Sequence, residues 1–152
     1  MNIIASTIKA IIESQGHTYF RSVNINDLNQ QVGETNLLNG LGVYTNLPEI
    51  DNQTYGRTNA VLMQYNVEVY YLKLNNEVDD KGQAIDMILD ELKPSADGLI
   101  DQINKSGIVA TGQFIEGYKL NAVETLKMTK EVLTGWNLTF TIPIFRKTFD
   151  CI

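Results

Sequence analysis

Apolar and polar residues alternate along "LTGWNLTFTIPIF", residues 133 to 145, so that Trp136, Leu138, Phe140, Ile142 and Ile144 share one side of an extended chain. Asn137, Thr139, Thr141 and Pro143 take the other side. This period of two predicts a half-buried strand whose second face is polar but uncharged, suited to meeting a neighbour rather than bulk water. A longer extended signal covers "AVLMQYNVEVYYLKL", residues 60 to 74, with Val61, Met63, Tyr65, Val67, Val69 and Tyr71 on one face. At about 3.3 Å per residue it would span about 50 Å, and that length predicts a bend or bulge.

Helical spacing governs two other segments. Ile3, Ile4, Thr7, Ile8, Ile11 and Ile12 form an amphipathic first helix that ends near Gly16. The start of the chain is therefore read as this helix and not as a signal peptide, since no basic leading region precedes it and Lys9 and Glu13 lie in its body. Ile85, Ile88, Leu89, Leu92, Ala96, Leu99, Ile100 and Ile103 make a second stripe, whose register survives Pro94 although the proline should kink or break the helix. "HTYFRSV", residues 17 to 23, predicts a short strand, and "IVATGQFIEGYKLNAVETLKM" joins the closing strand in a β-rich end.

From Asn24 to Asn59 the pattern dissolves into an asparagine-rich excursion with eight asparagines, within which "GVYTNLPEI" could form a hairpin or arm. Leu37, Leu38, Leu41, Val43, Tyr44 and Leu47 are its apolar anchors, expected to dock on a partner and order during assembly. Each helix has one stripe to bury and each strand one face, so the economical packing is an α+β domain over residues 1–152. It would have an antiparallel or mixed sheet, with the N-terminal helix and the Pro-broken helix on one face and a long loop or arm at 24–59.

Composition narrows the chemistry. The formal charge of −6 opposes general attraction to phosphate backbones. No apolar run is long enough to span a membrane as a helix. Cys151 is the only cysteine, so neither an internal disulfide nor a multi-cysteine metal site can form. Asp79 and Asp80, and Asp86, Asp90 and Glu91, are acidic enough to suggest a cation. They read better as residues complementing a helix start and as a solvated helix face. His17 has no second histidine with which to share a metal and is expected to be structural or at the surface. "GLG" at 40 to 42 lacks the context of a dinucleotide site. Tyr65, Tyr70, Tyr71, Tyr118 and Trp136 could stack on bases, but they share strand faces with valines and leucines, which favours core or interface packing. No catalytic, cofactor-binding or metal-binding residue is assigned.

In size, in the order of its elements, and in "LTGWNLTFTIPIF" with the "CI" that follows near the terminus, the chain resembles the small tail-terminator and tail-completion proteins of long-tailed bacteriophages. The resemblance implies a structural virion protein, synthesised in the bacterial host cytoplasm and resident in the tail or neck. It would form a homo-oligomeric ring, commonly a hexamer, that caps the tail tube and meets the head-tail connector proteins. DNA would pass through such a ring without specific binding, and Glu77, Asp79, Asp80, Asp86, Asp90 and Glu91 are candidates for its lumen or rim. The resemblance implies no cofactor and no enzymatic residue. The alternatives are another neck or tail layer, a non-viral interaction module, and an enzyme or small-ligand protein using the acidic residues.

Overall fold

The computed structural model describes residues 2–21, 40–45, 49–54, 60–74, 81–110, 112–126 and 133–147. Their elements, in chain order, are α1 (Asn2–Ser14), β1 (Thr18–Arg21), β2 (Leu41–Tyr44), β3 (Glu49–Thr54), β4 (Ala60–Leu74), α2 (Lys81–Lys105), β5 (Tyr118–Leu126) and β6 (Leu133–Lys147). The strands form one mixed sheet in the order β1-β2-β4-β6-β5, with β3 also paired to β4. Only β1 and β2 are parallel. Parallel neighbours cannot be joined by a tight turn, a physical reason for the long stretch of sequence between them.

The two 15-residue strands β4 and β6 form the centre of the sheet, paired antiparallel from Ala60 opposite Lys147 to Leu74 opposite Leu133. Their alternation does what the spacing predicts. Val67, Val69, Tyr71, Leu138, Phe140 and Ile142 face the helices, in one core with Ile4, Ile8 and Ile12 of α1 and Leu92, Ala96, Leu99 and Ile103 of α2. The fold is α+β, with α1 over β1 and β2 and α2 over β4 and β6.

Four expectations are corrected. The 15-pair register of β4 with β6 contains no bulge; the irregularity falls in β5, between Val123 and Leu126. α2 runs unbroken through Pro94, because apolar residues on both sides of the proline pack on the same sheet and hold the helix together. "GVYTNLPEI" makes no hairpin with itself: β2 and β3 each pair with β4, at Val69 to Leu72 and Val61 to Asn66 respectively. Leu41, Val43 and Tyr44, expected as anchors for a partner, are buried inside this chain. The remaining anchors Leu37, Leu38 and Leu47 lie outside the described residues, as does the rest of the excursion apart from β2, β3 and their immediate neighbours.

The stretch before β5 is not a strand but has a structural task. The Ala110 amide donates to the Pro143 carbonyl at 2.8 Å, and the Ile115 amide to Asn104 Oδ1 at 2.8 Å. β5 begins at Tyr118 opposite Phe140, so Pro143 lies beyond its reach. A proline has no amide for a further strand to use, and it is tolerated in β6 where one neighbour has ended.

Candidate functional site

The face of the sheet turned away from the helices has two unlike halves. At one end Leu41, Val43, Leu72 and Leu133 are fully buried together, with Phe20, Tyr70 and Leu74 packed against them. The signal for this second cluster is "YYLKL", residues 70 to 74, where apolar residues occupy both faces and strict alternation lapses. A strand that is apolar on both sides is covered on both.

At the other end the same face is polar and open. Asn66 and Glu68 of β4, Thr139 and Thr141 of β6, and Lys119 of β5 line a shallow concavity of about 530 Å³. Pairing sets them in rows, since Asn66 is opposite Thr141, and Thr139 lies between Glu68 and Lys119. Thr141 Oγ1 donates to Asn66 Oδ1 at 2.8 Å, and Thr45 Oγ1 donates to Glu68 Oε1 at 2.6 Å. A second concavity of about 250 Å³ adjoins the first at Gly117 and Thr141 and reaches Phe114, which is 58% exposed. The uncharged face of the closing strand thus becomes the floor of a trough that ends at β5, whose outer side pairs with no strand among the described residues.

The rim at β5 is tied to α2. The Tyr118 hydroxyl donates to Asp97 Oδ1 at 2.8 Å, and Lys93 Nζ lies 3.0 Å from Asp97 Oδ2. Burial pushes the Asp97 carboxyl up, but the Tyr118 hydroxyl and the Lys93 ammonium outweigh it and hold it below its ordinary value. The Asp97 carboxylate, and secondarily burial, raises Tyr118. Asp86 and Asp90 are exposed on α2, and Glu91 bridges Lys73 at 2.8 Å. Among the described residues no three His, Cys, Asp or Glu side chains come together as a metal site. Glu77, Asp79, Asp80 and Cys151 lie outside the described residues.

Polar side chains also converge beneath Pro94. α1 ends with the Gly16 amide donating to the Glu13 carbonyl and the His17 amide to the Ile12 carbonyl, while Gly16 takes φ 84°. This glycine-terminated cap turns the chain and sets Gln15 and His17 against α2. Gln15 Nε2 donates to the Ser95 carbonyl at 2.9 Å, and its Oε1 accepts from the buried Tyr71 hydroxyl at 2.7 Å. Burial raises the Tyr71 phenol far above its usual value. His17 Nε2 lies 2.8 Å from Ser95 Oγ. On the next strand the Trp136 indole donates to the Leu89 carbonyl at 2.9 Å. The aromatic residues are thereby sorted: Tyr71 and Trp136 brace α2, Tyr70 packs in the second cluster, Tyr65 borders the main core, and Tyr118 reaches the rim.

His17 and Ser95 have hydrogen-bond geometry compatible with a nucleophile and its base, but a catalytic pair also needs an oriented base. His17 Nδ1 is buried and makes no hydrogen bond within the described structure, so no carboxylate orients the ring. Among the described residues, no helix is long and apolar enough to cross a membrane. Neither the protein-family models nor the curated proteins contain a significant match to this chain.

Proposed function

We propose that the protein is a ring-forming structural subunit of a bacteriophage tail or neck, acting as a tail terminator or head-tail joining protein. The observation that carries this reading is the polar trough on β4, β6 and β5, uncharged along its β6 floor and flanked by Glu68 and Lys119, open to solvent and bounded by the outer edge of β5. A broad, shallow polar surface, beside an edge that pairs with no strand among the described residues, suits contact with another protein surface better than enclosure of a small substrate, which favours a deeper apolar cleft. The reading also rests on the resemblance in the order of elements, here a first helix, three short strands, the long β4, the second helix and the closing β5 and β6. Contacts made head to tail close into a ring when the rotation per subunit permits. The partners in this reading are further copies, the tail tube and the connector proteins. The role is structural and not enzymatic. A charge of −6 per chain suits a ring that lets DNA slide past, because phosphate contacts release counterions and add affinity.

Native mass spectrometry of the purified protein at rising concentration, with imaging of particles from a host carrying the gene and from a deletion, tests the proposal. Closed rings, and heads and tails left unjoined in the deletion, are expected. A monomer at every concentration and within purified particles would refute ring formation, and normal particles in the deletion would favour a non-viral interaction module. Tight, salt-sensitive binding to duplex DNA would refute the passive passage.

A further inference from the structure

The junction of α1, β1 and α2 holds the only histidine in the chain, His17. With its proton on Nε2, the neutral ring donates to Ser95 Oγ and leaves a bare lone pair at Nδ1. Nδ1 is buried against Gly40, where an added Cβ would collide with it, and the Gly40 carbonyl, which accepts the Thr18 amide at 3.0 Å, compensates a proton there only in part. The ring also stands edge-on to Tyr71, with centroids 5.7 Å apart. A second proton would have to sit at Nδ1 in this crowded place and bring a positive charge with it.

We propose that His17 is a proton-operated latch: its neutral ring, seated on Ser95 with Nδ1 turned into the junction, holds the end of α1 and the start of β1 to α2, and a proton on Nδ1 loosens that seat by placing a charge in it, Nε2 remaining a donor in either state. The groups facing it agree with this direction. Burial holds His17 below its ordinary value; Glu91 of α2 and the Gly40 carbonyl oppose the fall without overcoming it, and Lys73 of β4 adds to it. Tyr71 of β4 offers only its ring, its hydroxyl being committed to Gln15. Glu13 of α1 and Tyr19 of β1 line the shallow depression outside the ring, so a released imidazolium would meet solvent and a carboxylate. Because the folded structure favours the neutral base, stability is complete above about pH 6.5 and is lost as pH falls from there toward the lowered folded value.

His17 is the chain's only histidine, so its imidazole resonances can be followed without overlap from another. NMR titration of His17 should be combined with amide hydrogen exchange of the full chain, corrected for intrinsic exchange, in wild type and His17→Gln. Opening of amides in residues 12–21 and 91–99 is expected to rise by up to about tenfold per pH unit below 6.5, levelling off once His17 is protonated. The β4–β6 ladder should not follow, and His17→Gln, which retains a donor for Ser95 but does not titrate, should show no such rise. A His17 midpoint at or above 6.5, or the same profile in both proteins, would overturn the proposal. Should the variant fail to fold, local opening in wild type that does not track the His17 titration would overturn it equally.

Discussion

Replacing Gly135 with alanine should weaken the centre of the sheet, although the change adds a single methyl group. A Cβ there would land on the Tyr71 carbonyl oxygen, 2.8 Å from the Tyr71 carbonyl carbon and 2.9 Å from Leu72 Cα. All three atoms are backbone, and Gly135 pairs with Leu72 within a register continuous on both sides. No rotamer change can relieve the clash, so β4 and β6 must part locally. Two ladder hydrogen bonds at about 1 kcal/mol each, with a further 1–3 kcal/mol for forcing volume into a packed site, give a loss of about 3–5 kcal/mol. That is a large share of the roughly 5–15 kcal/mol by which a domain is stable. The control is Gly117→Ala: nothing lies within 4 Å of its added Cβ and its φ is not left-handed, so a gain of up to about 1 kcal/mol is expected from reduced freedom of the unfolded chain. Urea unfolding followed by fluorescence of Trp136, the only tryptophan, measures both. A Gly135→Ala protein within about 1 kcal/mol of wild type would refute the account, because the clash would then have been absorbed without loss of pairing.

Tyr71→Phe should lower stability by about 1–2 kcal/mol in the same assay, since it leaves Gln15 Oε1 without the hydroxyl it accepts from; no change would mean that water replaces it. Pro94→Ala should raise the thermal midpoint, the residue being exposed inside a continuous helix where proline is about 3 kcal/mol worse than alanine; a lower midpoint would show that the proline geometry is needed to seat both halves of α2. Glu91→Gln removes the carboxylate that raises His17, so the NMR midpoint of His17 should move further down, and an upward move would contradict the electrostatic arrangement. In Tyr118→Phe the Asp97 carboxyl should titrate at higher pH, closer to its ordinary value, because one of its hydrogen-bond donors is gone; an unchanged carbon-13 titration would assign its depression to Lys93.

Local periodicity alone determined much of this protein. The bounds of β4, the helix-facing residues of β6 and the stripe of α2 follow from residues two, three or four apart, whose relative directions are set by backbone geometry before any long-range contact forms. What the sequence suggested by rule and the tertiary structure reversed lies where packing outweighed a local preference. Pro94 breaks nothing because α2 is held by the sheet on both sides of it, and β4 stays regular because β6 matches it residue for residue. "YYLKL" carried a readable hint of a strand covered on both faces, yet which side chains complete the second cluster depends on the pairing of β2 with β4. The trough needs three strands placed side by side, with Lys119, Thr139 and Glu68 in one row. His17 meets Ser95 across 78 residues of chain, and Gly135 meets the Tyr71 carbonyl across a strand pair; neither contact has a signature in its own neighbourhood. Such encounters are decided by how helices and strands cross in space, a property of the assembled layers and not of any one segment.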